Sequence, residues 1–161
     1  MAIFEAYFDG GCGKKGPADG VGPLSWAWLV KEKDNPAVLF SEVFRSDTIG
    51  PPDAAELHGL VSALSGLKRL GLVGKVYLWG DSLAAIQLTR GAWTSRHADQ
   101  AALAGEAAAA IEELERAGLL IFLAKVDRTE NIADRLLKNK PFFKRKWTRK
   151  SGSGNYILQE K

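Results

Sequence analysis

Residues 3–9, IFEAYFD, form an apolar run that carries one aspartate, Asp9, straight into the glycine-rich stretch GGCGKKGPADG (10–20). Asp and Gly are both poor strand formers, and Asp followed by Gly-Gly is ordinary turn chemistry. Alone, the stretch is a strand that ends in a turn. The same ending recurs at residues 75–81, KVYLWGD, where another apolar segment stops on Asp81. Two parallel neighbouring strands that both end on acids bring those acids to one edge of a sheet.

The segments around these two strands fix the architecture. LSWAWLVKEKD (24–34) places Leu24, Trp26, Trp28 and Val30 on one face with a period of two. AVLFSEVFRSD (37–47) is a further strand, joined to it across Asp34-Asn35-Pro36. The first three strands are separated by turns only, which predicts an antiparallel meander. In GPPDAAELHGLVSALSGLKRLG (50–71), Leu57, Leu60, Val61, Leu64 and Leu67 recur at three- and four-residue intervals, an amphipathic helix ending at Gly71. Asp53 and Glu56 have capping-box spacing at its start. Ser82 caps a short helix, residues 97–118 are an alanine-rich long helix, LLIFLAKV (119–126) is a fifth strand, and NIADRLLKN starts a last short helix near Asn131. The order βββαβααβα predicts an α/β fold: one mixed five-stranded sheet with helices on its faces.

At 161 residues with 46% apolar content the chain reads as one folded domain, residues 1–139, followed by an extension, residues 140–161. One cysteine, Cys12, excludes an internal disulfide framework and fits a reducing compartment. No run is long and apolar enough for a membrane span, and no signal-peptide pattern opens the chain. The expectation is a cytoplasmic, monomeric protein away from membranes. Charge is unevenly placed. From Lys138 onward there are eight basic residues and one acid, whereas the preceding residues hold 14 basic and 18 acidic ones. An acidic body with a basic, aromatic-bearing end (KNKPFFKRKWTRK) suits a polyanion such as nucleic acid. Lys144, Arg145, Lys146 and Trp147 are its candidate contacts, and the extension is read as flexible.

Asp9, Glu56, Asp81 and Asp134 lie at strand ends or on helix faces beside the sheet. Each alone has an ordinary explanation as a turn, cap or solvent-facing residue. Four carboxylates in one cleft repel one another and raise each other's pKa, so such a cluster calls for cations. Hard divalent ions such as Mg²⁺ take oxygen ligands and suit a site shared with phosphate. Two of them about 4 Å apart clamp the attacking and leaving oxygens of a displacement at phosphorus. The glycines after Asp9 then let backbone N–H groups approach a polyanion.

The stretches YFDGGC (7–12), AAELHGLVSAL (54–64), VYLWGDSLAAI (76–86) and VDRTENIADRLL (126–137), in this order, resemble the type 1 ribonuclease H family over roughly residues 3 to 138. The resemblance implies the ribonuclease H-like fold. It implies metal ligands and catalytic acids at Asp9, Glu56, Asp81 and Asp134, and two Mg²⁺ ions for which Mn²⁺ can substitute. The implied activity is hydrolysis of the RNA strand of RNA–DNA hybrids, leaving 3′-hydroxyl and 5′-phosphate ends. It further implies nucleic-acid contacts from Gly10, Gly11, Cys12, Lys15, Arg128 and Asn131. Val126, Arg128, Asn131, Ala133, Asp134 and Trp93 resemble the plant and archaeal branch of the family. The chain has no histidine after His97, and Arg128 and Glu130 occupy the loop where many members carry one. Leu83 stands where a glutamine is frequent.

Two other readings accompany this one. A catalytically silent nucleic-acid-binding module could share the fold, and so could a nuclease for double-stranded RNA or DNA junctions, since fold alone does not fix substrate. His58 and His97 are read as structural, because His58 is two residues from Glu56 and points to another side of its helix.

Overall fold

The computed structural model describes residues 1–13 and 21–138, and the backbone of residues 146–149 and 156–159. Its elements run β1 (Ile3–Cys12), β2 (Gly22–Glu32), β3 (Val38–Gly50), α1 (Pro52–Leu70), β4 (Gly74–Gly80), α2 (Leu83–Thr89), α3 (Ala98–Arg116), β5 (Leu119–Lys125) and α4 (Ile132–Leu137), with a short 3₁₀ turn at Arg128–Glu130. The strands form one mixed sheet in the order β3-β2-β1-β4-β5. β1, β2 and β3 pair antiparallel, while β4 joins β1 and β5 joins β4 in parallel. This is the expected α/β architecture. Among the described residues no helix is long and apolar enough to cross a membrane.

Alternation along β1 divides the core. Phe4, Ala6 and Phe8 face a cluster that also takes Trp28 and Val30 of β2, Val76 and Leu78 of β4, the leucines Leu57, Leu60, Leu64 and Leu67 of α1, and Ala104, Ala107 and Leu114 of α3. Tyr7 points the other way, to a smaller cluster where Ile132, Leu136 and Leu137 of α4 close over Ala27 and Leu29 of β2. The leucine stripe of α1 sits close to the sheet because Gly66 lies against Trp28. A Cβ there would fall 1.8 Å from Cζ2 of the indole. Trp28 is fully buried, and its ring nitrogen donates to Glu42 Oε1 at 2.9 Å, so this large ring is buried without an unmet donor.

Helix ends follow local chemistry. Ser82 accepts from the Ala85 amide to cap α2, and Gly71, at φ 64°, ends α1 in the left-handed conformation. The capping box at the start of α1 does not form. The N-cap is Pro51, with no side-chain cap bond, and Pro52 takes the first helical position, where its fixed φ and missing N–H cost nothing. Asp53 is thereby moved into the first turn, and Glu56 is freed for another task.

Two further differences from the sequence reading matter. β1 does not stop at Asp9: Gly10, Gly11 and Cys12, read as loop, continue the ladder opposite Trp26, Ser25 and Leu24 of β2. β1 therefore loses only its parallel neighbour near Asp9, not its antiparallel one. Within residues 140–161, β6 (Lys146–Arg149) and β7 (Tyr156–Gln159) pair antiparallel. Trp147, Thr148, Tyr156 and Ile157 are good strand formers, a signal obscured by the surrounding charge. The boundary after residue 139 lies outside the described residues.

Candidate metal and nucleic-acid site

The parallel register of β1 and β4 runs from Ile3↔Lys75 to Tyr7↔Trp79. Carried two residues further, it sets Asp9 level with Asp81, just past the end of β4. The third acid arrives from α1. A Cβ on Gly10 would lie 2.3 Å from the Ala55 carbonyl carbon, and one on Gly59 would lie 2.8 Å from the Asp9 carbonyl oxygen. The helix backbone thus rests directly on the strand backbone, which holds Glu56 over Asp9. Carboxylate oxygens of Asp9, Glu56 and Asp81 all lie within 4.8 Å of one another.

Asp9 is 5% exposed and Glu56 7%. Burial is the largest influence on both carboxyls and pushes both upward. For Asp9 the charges of Asp81 and Asp134 add to it, and for Glu56 the charge of Asp9 does. With both carboxyls pushed upward, full ionisation of the cluster is disfavoured. Glu56 Oε2 is buried with no hydrogen-bond partner. Three carboxylates with converging oxygens, one of them carrying a buried oxygen without a partner, in a site where full ionisation is disfavoured, fit a hard divalent cation.

Asp134 comes from α4, on the opposite face of the sheet from α1. It acts on Asp9 as a hydrogen-bonding and like-charged neighbour, lies outside the tight group of three, and pairs through Oδ2 with Lys138 at 3.0 Å. Its helix is anchored by Asn131, which is 2% exposed. Asn131 Oδ1 accepts from the Ala133 amide at 3.2 Å, while Nδ2 donates to the Phe8 carbonyl at 2.9 Å and to Asp81 Oδ2 at 3.2 Å. Asn131 was expected to touch nucleic acid. Its amide is spent inside the protein instead, tying α4 to β1 and to an acid of the cluster.

No protein-family model matches the chain, and no curated protein matches it in sequence. Solved structures do match. The N-terminal RNase H domain of a Mycobacterium tuberculosis protein superposes with a TM-score of 0.71 at 24% identity, covering 86% of this chain and 93% of that one. RNase H1 from the halophilic archaeon Halobacterium salinarum gives 0.66 at 21%, covering 85% and 98%. LC11-RNase H1, solved in complex with an RNA/DNA hybrid, gives 0.69 at 17%, covering 85% and 95%. The fold is that of the type 1 ribonucleases H.

On this ribonuclease H fold the acids open into a cleft of about 470 Å³, lined by Asp9, Gly10, Gly11, Cys12, Pro52, Glu56, Asp81, Lys125 and Arg128. Four expected contacts, Gly10, Gly11, Cys12 and Arg128, therefore reach it. Lys15, Lys144 and Arg145 lie outside the described residues, and Lys146 and Trp147 stand in β6, where only the backbone is described. Lys125 was missed. The available signal was its place at the C-terminal end of a parallel strand, the same edge that carries Asp81. His58 is half-buried and stacks on Trp26 at 4.5 Å, away from the cleft, and burial lowers its pKa.

Proposed function

We propose that this protein is a divalent-metal-dependent endoribonuclease that hydrolyses the RNA strand of RNA–DNA hybrids and leaves 5′-phosphate ends. The observation that carries the reading is the cluster of Asp9, Glu56 and Asp81, with a buried Glu56 oxygen that lacks a hydrogen-bond partner, at the edge of a ribonuclease H sheet. The relative solved with an RNA/DNA hybrid supports the choice of substrate.

In this reading Asp9, Glu56, Asp81 and Asp134 hold two Mg²⁺ ions, with Mn²⁺ able to substitute. When bound, the ions stabilise the negative charge that builds on the phosphate and on the entering and departing oxygens. Asn131 fixes the rotamer of Asp81. Amides of Gly10, Gly11 and Cys12 border the path of the strand, and Arg128 offers a guanidinium to its phosphates. The basic residues after Lys138 add affinity that does not depend on sequence.

A cleavage panel tests the proposal, using labelled RNA–DNA hybrid, RNA duplex, DNA duplex and a four-way junction, each with Mg²⁺, Mn²⁺ or EDTA. The expected result is cutting confined to the RNA strand of the hybrid, present with either ion and absent in EDTA. Faster cutting of RNA duplex or junction would reassign the substrate. Binding without cutting under any condition would make the chain a silent module.

A further inference from the structure

Resting on the nuclease reading, we propose that Lys125 is a substrate-positioning residue whose ammonium holds a backbone phosphate of the nucleic-acid strand in the cleft that the acids line. Lys125 is the last residue of β5 and pairs in register with Gly80, the residue before Asp81. Neighbouring strands lie about 4.8 Å apart, so its backbone is one strand away from the approach to Asp81. Its side chain is exposed and lines the same cleft as the three carboxylates.

Among the described residues Lys125 makes no ion pair, although other lysines do: Lys31 pairs with Glu5, Lys68 with Glu113 and Lys138 with Asp134. Lys125 and Arg128 are the cations lining a cleft whose other charges are Asp9, Glu56 and Asp81. An anion entering this cleft meets acids that need metal ions together with two cations that, among the described residues, make no ion pair. A phosphodiester satisfies both sets of charge at once. The arrangement thus selects a phosphate-bearing chain over a neutral ligand.

The test uses the full chain and the variants Lys125→Gln and Lys125→Arg, with three readouts. These are kcat and KM for a labelled hybrid in Mg²⁺, the salt dependence of kcat/KM, and Mn²⁺ affinity of the protein alone. For Lys125→Gln, KM should rise roughly two- to fivefold and the salt slope should flatten by about 0.7 to 0.9, one phosphate contact. Its kcat and Mn²⁺ affinity should stay near wild type, and Lys125→Arg should recover KM. Unchanged KM and salt slope would overturn the proposal. So would tighter Mn²⁺ binding with unchanged KM, which would make Lys125 a counter-ion of the acids. If the wild-type protein cuts no hybrid, the nuclease reading fails. Anisotropy of the labelled hybrid against wild type and Lys125→Gln then decides on Lys125 by the same shift in affinity and salt slope.

Discussion

Asn131 Nδ2 lies 3.2 Å from Asp81 Oδ2 and 2.9 Å from the Phe8 carbonyl oxygen, so one amide joins the last helix, the central strand and an acid of the cluster. Asn131→Ala removes the cap of α4 and strands a carbonyl in the interior. The cap is worth about 1 kcal/mol and an orphaned buried acceptor about 1–3 kcal/mol. Urea unfolding should show a loss in the range of their sum, with metal affinity also reduced because Asp81 loses its restraint. Asn131→Asp keeps the cap acceptor but sets a fourth charge beside Asp81. Its defect should be larger at pH 8 than at pH 5, and an equal defect at both would argue against the contact.

Asp9→Asn and Asp81→Asn each remove one metal-binding charge at nearly constant volume. Cleavage in Mg²⁺ should fall below detection, with unaltered circular dichroism. Metal-free stability should hold or rise, since repulsion among buried acids is relieved. Near wild-type turnover in either variant would show the ligand assignment to be wrong.

The sheet was legible because its signals are local. Period-two apolar runs, the turn between β2 and β3, the leucine stripe of α1 and the Ser82 and Gly71 punctuation all survive in the folded protein. The acids at 9 and 81 could be placed together because strand ends and parallel pairing suffice to do so. What stayed hidden depends on contacts distant in sequence. That β1 runs on through Gly10–Cys12 is decided by pairing with β2. That Asn131 turns inward is decided by a carbonyl 123 positions earlier. Glu56 was legible as an acid on a helix, but its freedom from the cap follows from Pro51 and Pro52 shifting the helix start.

Gly10 tests how the site is assembled. Its added methyl in Gly10→Ala would meet backbone atoms of Ala55 and Glu56 at 2.3 to 2.5 Å, and no rotamer change relieves a backbone clash. The start of α1 must move off β1, taking Glu56 from Asp9. Isothermal titration should show Mn²⁺ affinity falling at least tenfold, since displaced ligands lose binding geometry, along with a lower melting temperature. Gly11→Ala is the control, because among the described residues a Cβ there meets only a leucine methyl of Leu137 at 4.0 Å. Equal effects from both substitutions would remove the special place given to the Gly10 contact.

The protonation of the cluster makes stability depend on pH in a direction opposite to that of most salt-bridged proteins. Asp9 and Glu56 are both pushed above their ordinary values, chiefly by burial. The unfolded chain loses these protons near pH 4, while the folded protein keeps them to higher pH. The folded state then binds more protons, so metal-free stability should fall as pH rises from about 4 through neutrality. His58, lowered by burial, works the other way, weakening the fold only as pH drops below its ordinary value. Glu56→Gln should weaken this decline and leave the His58 contribution intact. Divalent ions bind the ionised carboxylates and displace the protons, so saturating Mg²⁺ should raise the melting temperature strongly at pH 8 and little at pH 5. A stabilisation near 2.7 kcal/mol at a hundredfold excess over Kd is the expected scale. Thermal melts of wild type and Glu56→Gln across pH 4–9, with Mg²⁺ and with EDTA, check each point. A metal-free decline as steep in Glu56→Gln as in wild type would contradict a part for Glu56 in holding those protons.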